Sequence, residues 1–78
     1  MNKKNVYLGL VDLLWKDLVE QAEAERDADI KEAESYREMF GDASAENTID
    51  LAIENYHMNV DNIKDACIEL KSLITQFM

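Results

Sequence analysis

Proline is absent from this chain, cysteine occurs once, and glycine only at Gly9 and Gly41. With so few breakers among 78 residues, nothing forces the backbone into many short elements. A lone Cys67 rules out an internal disulfide staple and fits a reducing compartment. Cations are scarce as well: eight Lys and Arg stand against seventeen Asp and Glu, for a net charge of −9 and a pI near 4.3. That balance argues against direct contact with nucleic acid or an anionic membrane surface, and it suits a basic protein surface. A long hydrophobic run is also missing. The greasiest stretch, Val6 to Val19, is interrupted by Asp12, Lys16 and Asp17 and is too short to span a bilayer. Lys3 and Lys4 could start a secretory signal, but Asp12 interrupts the apolar region and no small-residue cleavage site follows. The expected address is the cytoplasm.

What remains is rich in Ala, Leu, Glu, Lys and Asp, with few β-branched runs, so the expected class is all-α. The strongest pattern is in the C-terminal half. Ile49, Ile53, Tyr56, Val60, Ile63, Cys67, Leu70, Ile74 and Phe77 recur at alternating spacings of four and three. This is a heptad seam, with Ile53, Val60, Cys67 and Ile74 at a and the others at d. Ala52, Ala66 and Leu73 broaden it at g, while His57, Lys64 and Lys71 lie at e. Such a stripe must be covered by another helix.

In the N-terminal half, Asn2 or Asn5 is placed to cap a first helix. Leu8, Val11, Leu14, Trp15, Leu18 and Ala22 share a face that Leu10, Leu13 and Val19 widen. A stripe that wide suggests two neighbours. Gly9 lies within this stretch, where a missing side chain would permit close helix approach. From Glu20 to Glu38 leucine disappears and charge takes over, but Ala22, Ile30, Ala33, Tyr36 and Phe40 continue the apolar line with Arg26 in the gap. The expected helix covers 4–40, about 55 Å at 1.5 Å per residue, with a bend or break near Glu25–Asp29. Gly41 is expected to end it in the left-handed conformation, and Asp42 or Ser44 to cap a second helix over 45–76. The short 41–44 connection predicts an antiparallel hairpin in a single domain, 1–78. Each helix carries more apolar width than one mutual interface hides. Two hairpins packed as a four-helix bundle are therefore expected, with a compact three-helix monomer as the alternative.

The acidic tract is the leading candidate for function. Glu20, Glu23, Asp27, Glu34 and Glu38 fall along one side of the first helix, and Glu25, Asp29 and Glu32 add to its charge. Side chains three and four apart are about 5–6 Å from one another. That is comparable to the spacing of phosphates along a nucleic-acid strand. Charged helix faces are commonly just solvated. Even so, like charges at this spacing destabilise a helix, which favours a use for them.

Other chemistry is thinly represented. Glu54 and His57 stand three apart, and this pairing resembles the half-site of ferritin-like di-metal bundles, including the two-helix encapsulated ferritins. Under that resemblance a metal would sit between helices. Yet both residues fall outside the a/d seam, with Ile53 and Tyr56 facing inward instead. Glu20 and Glu23 are similar to the first half of the Mg²⁺ motif of all-α nucleotide pyrophosphatases, but no Glu-x-x-Asp follows at the expected distance. Cys67, at an a position and nearly three turns from His57, reads as a small core hydrophobe. Leu51 and Met58 lie away from the seam as a possible second contact patch. No catalytic residue and no cofactor is expected. In size, charge and fold type the chain is similar to the small acidic proteins with which phages and mobile elements disarm host enzymes, anti-CRISPR proteins among them; no motif is shared. The expectation is a non-enzymatic homodimer that regulates or inhibits a basic, nucleic-acid-binding protein by mimicking nucleic acid. A di-metal bundle and a purely structural coiled-coil module are the alternatives.

Overall fold

In the computed structural model, which describes residues 2–77, helix formation begins at Asn2. Its side-chain oxygen accepts the Lys4 backbone N–H at 3.0 Å and starts α1 (Lys3–Ser35). This satisfies one of the orphan donors of the first turn, so Asn2 is the cap and Asn5 is an ordinary helical residue. The helix runs without a break through Glu25–Asp29. It stops short of the expected residue 40. The Ser35 hydroxyl donates to the Lys31 and Glu32 carbonyls at 3.0 and 2.9 Å, and the Tyr36 N–H is shared between the Glu32 and Ala33 carbonyls. This local competition for acceptors interrupts the regular ladder. One further turn, α2 (Arg37–Phe40), completes the first arm.

Gly41 reverses the chain with φ 88° and ψ 164°. This is an extended conformation at positive φ rather than the expected left-handed helical one, and it is open essentially only to glycine. The Gly41 carbonyl accepts the Ala45 N–H at 3.2 Å, so glycine itself occupies the cap position of α3 (Asp42–Phe77). The second long helix therefore starts three residues earlier than expected. Asp42 lies inside its first turn, where a carboxylate suits the positive helix end. Arg37 closes the corner by donating to Glu34 at 3.1 Å and to Asp42 at 3.4 Å.

The arms α1 and α3 pack antiparallel as the expected hairpin, 57 × 17 × 8 Å in extent. With α2 only four residues long, a compact three-helix arrangement does not form. The seam between the arms has a period of eleven. In α1 the buried residues are Val11, Ala22 and Ala33. In α3 the inward line runs Ala45, Ile49, Ala52, then Tyr56, Val60, Ile63, then Cys67, Lys71, Ile74, each group eleven residues after the last. Eleven residues over three turns is 3.67 per turn, close to the natural twist of a straight helix, so the arms need no left-handed supercoil. The heptad stripe consequently divides. Its inner members are buried or half-buried, whereas Ile53, Leu70 and Phe77 drift outward to 37%, 41% and 76% exposure. The N-terminal stripe divides similarly: Trp15 and Leu18 are half-buried and Leu14 is exposed. Four of the six buried residues are alanines, so the helices meet closely over a thin core.

A Cβ placed on Gly9 meets nothing within 4 Å, so this glycine does not serve close approach within the hairpin. Gly9→Ala should stabilise the fold by about 1 kcal/mol through helix propensity. Gly41→Ala should destabilise it by about 1–3 kcal/mol because of its positive φ. Thermal unfolding followed by circular dichroism would show the midpoint rising for the first and falling for the second.

Candidate protein-binding surface

Two straight helices side by side present two broad faces, and side-chain direction on each helix assigns residues to them. On one face three cations, Arg26, Arg37 and Lys71, have carboxylate partners. Lys4, Trp15, Arg26 and Arg37 recur every eleven residues, all half-buried beside the seam. The Arg26 guanidinium lies 4.3 Å from the centre of the Tyr56 ring and bonds Asp27 at 3.1 Å. The Tyr56 hydroxyl reaches a Glu23 carboxylate oxygen at 3.4 Å. Lys71 pairs with Asp12, its ammonium 5.9 Å from the Trp15 ring centre. The aliphatic stems of these cations cover the edge of a core that has few large residues. Each exposed ion pair contributes little alone, at most about 1 kcal/mol.

The opposite face has a different character. Two grooves on it lie between the α1–α2 arm and α3, and no Lys or Arg lines either of them. The larger encloses about 560 Å³ near the closed end of the hairpin. Its floor is Ala33, Ala45 and Ala52, its walls Tyr36, Phe40 and Leu51, and Asp29 and Glu32 stand at the rim. Tyr36 and Phe40 meet edge to face with ring centres 5.8 Å apart, an arrangement that suits aromatic quadrupoles. Small residues dictate the floor, because alanines on both arms leave a depression that the neighbouring aromatics overhang. The second, shallower groove lies midway, with Leu18, Gln21, Glu25, Asn59 and Asn62 around it.

The eight acidic residues singled out from the sequence therefore do not share one surface. Glu20, Glu23, Asp27, Glu34 and Glu38 follow the outer side of α1 and α2, as expected from their spacing. Three of them are engaged within the hairpin: Glu23 by Tyr56, Asp27 by Arg26 and Glu34 by Arg37. Glu25, Asp29 and Glu32 flank the cation-free grooves instead. Among the described residues these three have no salt-bridge partner. The aromatic groove was not apparent from the sequence. The signal available was the eleven-residue spacing of Ala22 and Ala33, which places Tyr36 and Phe40 beside the seam instead of in it. Leu51 of the expected second patch lines this groove, while Met58 is exposed away from it.

Glu54 and His57 are both exposed on α3, and the His57 ring lies 5.5 Å from that of Tyr56. Among the described residues no three His, Cys, Asp or Glu side chains converge as a metal would require. Cys67 is buried at 1% exposure, in keeping with a packing role. No helix is long and apolar enough to cross a membrane. No family model, curated protein or solved structure matches this chain. The Cys67 thiol should react with a chromogenic disulfide reagent at least tenfold more slowly in the folded protein than in urea. Equal rates, read by absorbance, would contradict its place in the seam.

Proposed function

We propose that this is a small, non-enzymatic interaction protein that engages a basic surface of a nucleic-acid-binding protein through its acidic helical arm. The observation that carries the reading is the cation-free flank. Glu25, Asp29 and Glu32 follow one another along α1 at helical spacing beside grooves that no Lys or Arg lines. Their charge is left uncompensated within the hairpin, which costs stability and is repaid when a cationic surface is met. Glu20 and Glu38 on the outer side extend the negative field. A net charge of −9 steers such a partner and makes association fall steeply with salt. The carboxylates act as stand-ins for phosphates. Inhibition or regulation of the partner follows, because the same surface cannot hold nucleic acid at the same time. This is the mode of action the likeness to phage-type anti-defence proteins suggests.

Immobilised protein exposed to lysate of the producing cell should retain a nucleic-acid-binding protein that elutes early in a salt gradient and is displaced by a double-stranded oligonucleotide. A variant combining Glu25→Gln, Asp29→Asn and Glu32→Gln should lower retention at least tenfold with helicity unchanged. The outer-row variant Glu20→Gln, Asp27→Asn, Glu38→Gln should lower it less. Retention equal to that of the unaltered protein in the first variant, or indifference to the oligonucleotide, would refute the proposal.

A further inference from the structure

The broad face that carries the acidic grooves changes character along its length. Toward the open end of the hairpin, past Gln21, Asn59 and Asn62, it becomes apolar. Tyr7, Leu10 and Leu14 of α1 stand beside Leu70, Leu73 and Phe77 of α3, all exposed by 41–76%. Helical periodicity puts these six on one surface, with Lys3, eleven residues before Leu14, at its outer margin and Asp17, seven residues after Leu10, at its inner one. A compact monomer of 9.0 kDa exposes about 4,900 Å². The hairpin exposes 5961 Å², an excess of roughly 1,100 Å². The apolar end is where that excess lacks a cover.

We infer that a second copy of this chain covers the open end, face to face with the same six residues of the first, so that two hairpins overlap by their open halves and point their acidic grooves outward at opposite extremities. Area supports the occupant. The exposed parts of the six side chains amount to roughly 600 Å² per protomer, hence about 1,200 Å² for a symmetric pair, which reaches the lower bound for a stable specific interface. Charge supports the register. The six side chains are uncharged, and under a two-fold axis the Lys3 end of each patch comes to the level of the Asp17 end of the other, so the surface is self-complementary. Sliding the copies to overlap along their whole length would press Glu25, Asp29 and Glu32 against leucines or against each other with no cation to pair them. An anionic membrane is a poorer occupant, because Lys3 at the edge of the patch is outweighed by Asp17 and by Glu25, Asp29 and Glu32 along the same face. This inference is independent of the basic partner proposed above, and purified protein alone tests it.

Analytical ultracentrifugation at micromolar concentration should give twice the 9.0 kDa chain mass, unchanged from 0.05 to 1 M salt. X-ray scattering should give a maximum dimension well beyond the 57 Å of one hairpin. Phe77→Glu, at a position 76% exposed and so dispensable within the protomer, should weaken the dimer at least tenfold. Leu10→Glu with Leu73→Glu should leave a helical monomer, whereas Leu51→Glu in the acidic groove should leave the dimer intact. A monomer, a higher oligomer, a dimension near 57 Å, or dissociation by Leu51→Glu with tolerance of Phe77→Glu would each overturn the inference.

Discussion

This hairpin is built around a thin seam in which four of the six buried residues are alanines. Val11, Ala22 and Ala33 of α1 and Ala45, Ala52 and Cys67 of α3 are the buried residues of that seam among those described, with Ile49, Tyr56, Val60, Ile63 and Ile74 half-buried between them. Leu10, Leu13, Leu14, Leu51, Leu70 and Leu73 are exposed beside it, while Ile49, Ile63 and Ile74 stay half-buried within it. Much of the apolar content is thus turned outward: of a chain with 47% hydrophobic residues, six are buried among those described. Small chains generally need an additional staple. Here the single cysteine excludes an internal disulfide as that staple.

The same geometry separates charge. On one broad face, arginine and lysine lie across the seam edge, held by Tyr56, Trp15 and neighbouring carboxylates. With Arg37, these contacts engage three of the eight cations and several acids with them. The other face receives none. Its acids are consequently unopposed, and its aromatics overhang alanines instead of packing into a core. Two different surfaces arise from one repeat because the residues to the left and right of the seam differ at each eleven-residue step.

The fold class, the hairpin, the role of Gly41 as the reversal and the inward place of Cys67 were all legible in the sequence. Helix propensity, a scarcity of breakers and an apolar stripe are local or periodic signals, and no tertiary contact overrode them. The phase of the stripe was less legible. A seven-residue and an eleven-residue repeat share Ile49, Tyr56, Val60, Ile63, Cys67 and Ile74; the eleven-residue line adds Ala45, Ala52 and Lys71, where the heptad has Ile53, Leu70 and Phe77. Those three decide which residues face the other arm, and their own side chains give no preference. The helix ends also shifted for reasons of hydrogen bonding: Ser35 competes for carbonyls, and the carbonyl of Gly41 replaces the expected Asp42 or Ser44 cap. The acidic surface was visible as composition, but its division into a paired side and an unpaired side required the cross-arm contacts of Arg26, Arg37 and Lys71.

The eleven-residue period also makes the molecule divisible. Each block advances the chain by three turns, about 16 Å, and returns every side chain to nearly the same heading. Removing one whole block from each arm would shorten the rod without rotating any surviving residue off its face, while removing a single residue would swing everything beyond it by about a hundred degrees. Reach is therefore a quantity that evolution or engineering can alter in steps of one block, leaving the aromatic pocket at one extremity and the oily one at the other chemically intact.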